Sequence, residues 1–435
     1  MVERVRLGAN YWKLWSASVV SNFGDGIAGV AYPWLASAIT RDPLQIALIG
    51  VATRLPWLVF TLPAGVITDR VDRKRLIAAM DVFRFTITLA VALFVMIVSD
   101  DLLDPTAGAG TSGGRFAYLM VLYGSALAFG FAEVLRDNAA QTLMPALVET
   151  TQLERANGRL WGAEMVMNSF VGPPLGGILI GAAFAVPFFT NAATFAISAI
   201  LILSLAGSYR ATGAPEPGTR RSFRVDIVEG VKWLWQHPLL RTMAIVLGVM
   251  NAMSMMALST YVLFVQEILE LEAASFGVLL SAGAVGGVIG SVIASRVSQR
   301  IGPGASLFTA IALSSATLAV TGLTSSAVLV WAMFVIQSFA GVLWNVITVS
   351  LRQTIIPDRL LGRVNSVYRF FAWGMMPLGS LLGGAVVAIV ESIGDRPTAL
   401  RSPFWIAAAV YAILFVYVLP RLNTARIRQA TAAGS

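Results

Sequence analysis

The sequence predicts an all-α membrane protein with twelve transmembrane helices in two pseudo-symmetric bundles of six. The prediction rests on composition, on the number of long apolar runs and on the alternation of basic loops. Hydrophobic residues make up 57% of the 435 positions and charged residues 12%, whereas an average soluble domain is roughly a quarter charged. Such a chain cannot cover itself with polar surface, so most of its apolar surface is expected to face lipid.

Charge and reactive residues exclude several other classes of protein. The formal net charge is +8, but Lys and Arg form short clusters between apolar runs, which predicts membrane topology and no nucleic-acid partner. There is no Cys and a single His, His237, in a connecting segment, so neither a metal site nor a cofactor is predicted. None of Lys13, Lys74 and Lys232 lies in a phosphate-binding loop, so the expected energy source is an ion gradient.

Twelve apolar runs are long enough to cross a bilayer, because about 20 residues at 1.5 Å each span roughly 30 Å of hydrocarbon. The predicted spans are 12–38, 44–67, 76–98, 116–136, 160–182, 186–207, 241–266, 274–296, 304–323, 327–350, 366–390 and 402–420. The N-terminal residues lead into the first run without a small-residue cleavage site, which predicts a retained helix.

The loops between these runs predict orientation. Basic residues recur in every second connection, at 70–75, 155–159, 210–232, 296–300 and 352–363, and in the tail at 421–428. Two of the intervening loops, 100–104 and 267–272, are acidic. Since Lys and Arg near helix ends stay on the cytoplasmic side, we expect a multi-pass protein of a bacterial-type cytoplasmic (inner) membrane with both termini in the cytoplasm.

The chain divides into two related halves. The predicted parts are an N-terminal bundle (1–207), a cytoplasmic linker with an amphipathic helix (208–240), a C-terminal bundle (241–422) and a cytoplasmic tail (423–435). QTLMPALVETTQLERANG before the fifth span resembles QTIIPDRLLGRVNS before the eleventh, and PLGG resembles PLGS. Paired halves of this kind build one central site that opens alternately to the two sides.

The connection after the second span carries a motif. It reads GVITDRVDRKR and resembles the major facilitator signature G-x-x-x-D-R-x-G-R-[RK]. The matching positions are Gly65, Asp69, Arg70 and Arg73. Asp72 stands where the common pattern has Gly. The resemblance implies that Asp69 holds an inward gate shut by meeting the start of the eleventh helix near Gly362 and an arginine at the end of the fourth, for which Arg136 is the candidate. The alternative is a topogenic basic loop in which Asp69 only caps a helix.

A second motif points towards export. The run GPPLGG in the fifth span, with Gly172, Pro173, Gly176 and Gly177, resembles the exporter motif of this superfamily, in which Gly and Pro give a kink and close helix contact. Ordinary helix packing is the alternative. VEGVKWLWQHPLLR and IIPDRLLGRVNSVYRFFAWGMMPLG also resemble the branch that contains macrolide and siderophore exporters.

The resemblance implies a proton-coupled antiporter, not an enzyme, that exports a small amphipathic compound such as a drug, macrolide or siderophore. Its expected partners are that compound, protons or sodium ions, and membrane lipids, and the protein is expected to be monomeric. Two alternatives stay open. One is an importer or lipid transporter with the same fold, and the other is a membrane scaffold that transports nothing.

Ionisable residues inside spans are candidates for the transport pathway, because a charge in hydrocarbon costs at least about 2.5–3.5 kcal/mol. Asp25 is the deepest carboxylate and the first candidate for proton exchange, followed by Glu133 and Glu164, for which a structural ion pair is the alternative. Predicted counter-ions or substrate-lining residues are Arg54, Arg84, Arg369, Asn168 and Asn345.

Overall fold

The computed structural model describes residues 7–102, 112–210 and 223–434, and the regular structure in these ranges is helical. The helices are α1 Ala9–Ile39, α2 Pro43–Arg70, α3 Arg73–Leu102, α4 Ser112–Leu143, α5 Leu153–Met165, α6 Gly172–Ala182, α7 Val186–Leu203, α8 Phe223–Gln236, α9 Pro238–Ser259, α10 Tyr261–Glu267, α11 Ala273–Ile301, α12 Pro303–Leu323, α13 Ala327–Ile355, α14 Asp358–Ile393, α15 Arg396–Val418 and α16 Thr424–Gly434. A π-helical turn, Val166–Val171, joins α5 to α6.

The helices have membrane-spanning dimensions. Within the described ranges, eleven helical segments are long and apolar enough to cross a bilayer. The predicted first span lies in α1, which is not among the eleven, but its 31 residues rise about 46 Å. The all-helical membrane fold is therefore confirmed, and α1 with the other eleven segments gives twelve spans.

Several helices begin with residues suited to a first turn. Pro43, Pro238 and Pro303 open α2, α9 and α12, where a missing backbone N–H costs nothing. Gly302, with φ of +85°, allows the tight connection from α11 into α12 because glycine adopts positive φ without steric cost. Asp395 caps α15 by accepting from the Thr398 backbone N–H at 2.8 Å.

The chain forms two compact units. The first comprises Met1–Arg41, Ala52–Glu216 and Leu271–Ser281, and the second Asp42–Val51, Pro217–Glu270 and Ala282–Ser435. The first turns of α2 thus belong to the second unit, and the first turns of α11 to the first unit. Part of the predicted linker, 211–222, lies outside the described residues, and α8 follows it as the helix of that connection.

Each unit pairs its helices in the same order. In the first unit α1 packs against α6 and α7, and α3 packs against α4 and α7. In the second unit α9 packs against α14 and α15, and α12 against α13 and α15. The fifth and sixth spans of each half thus meet the first, and the fourth and sixth meet the third. This common pattern is the structural counterpart of the sequence repeat.

Some boundaries differ from the predicted spans. Helix α4 continues to Leu143 instead of ending at 136, and α14 begins at Asp358 instead of 366. The predicted span 160–182 starts earlier, at Leu153, and contains the π-helical turn. An apolar window stops at charged residues, whereas a helix continues through them when other side chains pair their charges.

Candidate functional site

A buried cluster of five charged residues lies in the first unit. Asp25 comes from α1, Asp81 and Arg84 from α3, and Arg136 and Asp137 from α4. Asp81 is fully buried, and the side chains of Arg84 and Arg136 are 1% and 2% exposed. Charges at such depth persist only when they are paired, so the contacts inside the cluster define its chemistry.

Arg84 contacts a carboxylate, a hydroxyl and two aromatic rings, while its buried Nε has no hydrogen-bond partner among the described residues. Its Nη2 donates to Asp25 Oδ1, and its Nη1 donates to Ser21 Oγ at 3.0 Å. The guanidinium lies between two aromatic rings, 4.5 Å from the centroid of Phe129 and 4.0 Å from that of Phe195. Cation–π contacts and a charge-assisted hydrogen bond therefore fix Arg84 in one position beside Asp25.

Asp81 connects three helices. Its Oδ1 accepts from Arg136 Nε at 2.9 Å, and its Oδ2 accepts from Ser198 Oγ of α7 at 2.6 Å. Arg84 Nη1 lies 3.8 Å away. Asp137, 36% exposed, lies 3.4 Å from Arg136 Nη1. Asp81 thus has several donors and no exposure, whereas Asp25 has a single guanidinium partner and is 12% exposed.

The predicted glutamates lie at the margin of this cluster. Glu133 Oε2 accepts from Trp57 Nε1 at 3.4 Å, and Glu133 interacts electrostatically with Asp25. Glu164 interacts electrostatically with Arg136. The ion pairs of Arg136 are with aspartates of the cluster rather than with either glutamate. Glu133 and Glu164 are therefore neighbours of the cluster and not its ion-pair partners.

Asp25 lies beside a seam where two backbones touch. A Cβ at Gly26 would come within 2.5 Å of the Asn168 carbonyl oxygen, and one at Gly172 within 2.7 Å of Gly26 Cα. Gly176 approaches a backbone oxygen of α1 in the same way. Asn168 belongs to the π-helical turn, a feature found frequently at functional sites. Any change at Asp25 therefore acts on a helix contact that has no room for another methyl group.

Pro173 and Gly177 hold a second close crossing in the first unit. The Pro173 carbonyl faces Gly277, and Gly177 faces the backbone at Ala273, where α11 begins. Pro173 and Gly177 are buried. All four predicted packing residues of the GPPLGG run thus lie where α6 meets a neighbouring helix.

The remaining predicted counter-ion and lining residues do not join the cluster. Arg54 is exposed on α2 and interacts electrostatically with Glu133. Asn345 is exposed on α13, and Arg369 is exposed on α14 with its guanidinium 4.7 Å from the Trp373 ring centroid. Asn345 and Arg369 belong to the second unit.

The loop signature is only partly described. Gly65 is half-buried in α2, Arg70 is exposed at the end of α2, and Arg73 begins α3 with its N–H donating to the Tyr209 carbonyl at 3.2 Å. Asp69 lies in α2 and Gly362 in α14, but the side-chain surroundings of both are not described, so the gate contact between them stays a prediction.

Asp72, the departure from the signature, holds two segments together. Its Oδ1 accepts from the Arg75 N–H at 2.9 Å, capping α3. Its Oδ2 accepts from Ser208 Oγ and from the Tyr209 N–H, each at 2.7 Å. Burial raises the pKa of Asp72, but these hydrogen bonds outweigh burial and hold the pKa below its usual value. Where the signature has a glycine, this aspartate therefore ties the connection between α2 and α3 to the segment that follows α7.

Two residues of the cluster, Asp81 and Asp137, were not among the predicted site residues. Asp81 lies inside the predicted span 76–98, three residues before Arg84, so the rule that selected Asp25 also applies to it. Asp137 falls one position beyond the predicted end of the fourth span. Within the described ranges, no group of three His, Asp or Glu side chains is placed to hold a metal ion.

The chain matches a known protein family along nearly its whole length. Residues 8–431 match the family described as transmembrane secretion effector. The chain belongs to this family of the major facilitator superfamily. As a secretion-effector family member it is a multi-pass membrane transporter with a small-molecule substrate, and the resemblance of its motifs to the superfamily is confirmed.

Individual relatives also align with more than nine-tenths of the chain. It is 28% identical to the multidrug efflux pump Tap of Mycolicibacterium fortuitum, over 94% of this chain and 95% of that protein. It is 23% identical to the enterobactin exporter EntS of Escherichia coli O6:K15:H31, over 96% and 94%. A bacterial homologue of the iron transporter ferroportin, solved in an inward-facing state, shares the fold with a TM-score of 0.72 at 17% identity, over 95% of this chain and 99% of that one.

Proposed function

We propose that this chain is a proton-coupled antiporter that exports a small amphipathic compound by alternating access. The observation that carries the proposal is the charge of the buried cluster. It contains three carboxylates and two guanidiniums, so its net charge is −1 when every group is ionised. An excess carboxylate beside buried ion pairs favours binding of a proton, and uptake of one proton makes the cluster neutral.

Asp25 is the group best suited to take that proton. It has one guanidinium partner and 12% exposure, while Asp81 is enclosed by donors. Protonation of Asp25 weakens its pair with Arg84 beside the glycine seam between α1 and α6. A proton can drive transport only by binding one conformation better than the other, and a titrating group at a tight helix contact meets that requirement.

The direction of transport follows from the relatives. Two proteins that align along more than nine-tenths of the chain are an efflux pump and an exporter, so export is proposed here. The basic loops support a cytoplasmic membrane location with both termini in the cytoplasm. Because each chain carries both halves, a monomer is proposed as the transporting unit.

Everted membrane vesicles test the proposal with three fluorescent probes: the cation ethidium, the neutral pyrenebutanol and the anion pyrenebutyrate. With an imposed acidic interior, vesicles containing the chain should accumulate at least one probe above empty vesicles. Asp25→Asn should abolish this accumulation but retain probe exchange without a gradient. The matched control is Glu272→Gln, which changes an exposed carboxylate outside the cluster and should leave accumulation unchanged.

Two results would contradict the proposal. A folded Asp25→Asn protein that accumulates the probe as well as the unaltered chain would remove Asp25 from proton coupling. Accumulation driven by a sodium gradient, with no response to an imposed pH gradient, would replace protons by sodium.

A further inference from the structure

The second unit contains a pair of arginines that stack on aromatic rings. Arg352 lies on α13, three residues before its end at Ile355, and Arg369 lies on α14. Among the described residues, no carboxylate lies within ion-pair distance of either guanidinium. Arg84 and Arg136 of the first unit, in contrast, each pair with aspartates.

Aromatic rings fix the faces of both guanidiniums. Arg352 Cζ lies 3.9 Å from the centroid of Tyr368, and Arg369 Cζ lies 4.7 Å from that of Trp373. The Tyr368 ring is itself buried, and its hydroxyl donates to the Met243 carbonyl at 3.3 Å. A guanidinium stacked on a ring keeps its edge N–H groups available for a planar acceptor.

One donor of this pair has no partner among the described residues. The Nε of Arg352 is buried and has no hydrogen-bond partner among the described residues. The Arg369 side chain is exposed, and an exposed charge on a membrane-spanning helix faces protein or water rather than lipid. The two guanidiniums also repel each other electrostatically. Two like charges that lack an anion, next to aromatic rings, form an incomplete binding site.

We infer that Arg352 and Arg369, with Tyr368 and Trp373, bind the acidic group of an amphipathic organic anion, so that the exported compound carries a carboxylate or similar group next to an apolar ring system. The inference rests on the proposed transport function and narrows its substrate class. The guanidinium edges would take the acidic group, and the rings would take part of the apolar body. Proton uptake by the first unit and anion binding by the second are then separate tasks of separate halves.

Binding of pyrenebutyrate to the purified full chain, in a nonionic detergent, tests the site. The neutral pyrenebutanol has the same ring and serves as the matched ligand. Arg352→Gln and Arg369→Gln should each weaken pyrenebutyrate binding by about tenfold or more, as expected for loss of a charge-assisted hydrogen bond, and should leave pyrenebutanol binding unchanged. Arg369→Lys, which keeps the charge but not the fork of donors, should fall between.

The control variant is Arg421→Gln. Arg421 also lies over a ring, 4.0 Å from the Tyr417 centroid, so it reports the effect of losing an arginine–aromatic contact alone, and binding should not change. If Arg352→Gln fails to fold, the exposed Arg369→Gln, with elution and melting behaviour matching the unaltered chain, decides the test. If the Arg369→Gln variant still binds pyrenebutyrate tenfold more tightly than pyrenebutanol, the inference is overturned.

Two further arms distinguish a substrate anion from a lipid headgroup, and the anion site from proton coupling. In nanodiscs, phosphatidylglycerol should not compete with pyrenebutyrate more strongly than phosphatidylcholine does. If phosphatidylglycerol does compete, and this competition disappears in Arg369→Gln, the arginine pair binds a lipid headgroup instead. The anion site and proton coupling can fail separately. If pyrenebutyrate binding is unchanged by both arginine substitutions, but ethidium or pyrenebutanol accumulation still depends on Asp25, the anion-site inference is wrong and proton-coupled export stands.

Discussion

Replacement of Asp81 by Asn should destabilise the fold more than any other single carboxyl-to-amide change in the buried cluster. Asp81 is fully buried and accepts from Arg136 at 2.9 Å and from Ser198 at 2.6 Å. The amide can still accept from one donor, but it leaves Arg136 without its closest negative charge. Removing one partner of a buried ion pair costs about 3–5 kcal/mol, and the retained hydrogen bond places the expected loss near the lower end, about 3 kcal/mol.

Two comparisons make this magnitude testable. Asp137→Asn changes a 36% exposed partner of the same arginine, so solvent screening reduces its expected cost to less than about 1 kcal/mol. The double variant Asp81→Asn/Arg136→Gln removes both charges of the pair. Its loss in free energy of unfolding should therefore be smaller than the sum of the two single losses, by about 1 kcal/mol or more.

The assay is equilibrium unfolding of the purified chain in mixed micelles with increasing dodecyl sulfate, followed by tryptophan fluorescence. Equal losses for Asp81→Asn and Asp137→Asn would refute the reasoning, because burial would then have no bearing on the cost. Strict additivity in the double variant would refute it too, because the two side chains would not be energetically coupled.

Two further predictions concern helix contacts. Asp72→Ala should lower the free energy of unfolding by about 1–2 kcal/mol at neutral pH, since it removes the cap of α3 and the bonds to Ser208 and Tyr209. The pKa of Asp72 is lowered in the folded state. The stability difference should therefore hold above about pH 4, the usual pKa of an unfolded aspartate, and shrink at lower pH as the carboxyl is protonated. A difference that grows as the pH falls would contradict the assignment. Gly26→Ala should lower the free energy of unfolding by about 1–3 kcal/mol and reduce transport, because the added methyl group meets backbone atoms. The control Gly124→Ala, which has open space around it, should change neither stability nor transport. Equal effects of the two substitutions would show that close packing at the seam has no special importance.

The sequence predicts the helices well because a membrane span is a property of local composition. Apolar runs locate the eleven apolar segments and the long helix α1, and the ion-in-membrane rule selects Asp25 and Arg84. The partner of each charge depends instead on the rotation of three helices about their axes, and no local pattern encodes that. Asp137 was missed because a hydrophobic window ends where charge begins, although α4 continues beyond it to Leu143.

The π-helical turn was missed for another reason. The sequence VMNSFV contains no residue that demands an extra backbone position, and the turn exists where Asn168 meets Gly26 across the seam. Asp72 shows the reverse case. This single departure from the family signature is the residue that bonds the start of α3 to Ser208 and Tyr209.

The second unit shows why the charges of the first unit are unlike ordinary packing groups. At the junction of its third and fourth spans it uses neutral groups: Thr317 of α12 donates to Gln337 of α13 at 2.6 Å, whereas the first unit pairs Asp81 with Arg136 at the corresponding junction. A hydroxyl and an amide therefore suffice to join these two spans. Since buried ion pairs often stabilise no better than neutral replacements, the charges at the same junction of the first half are better accounted for by a task that needs a titratable cluster.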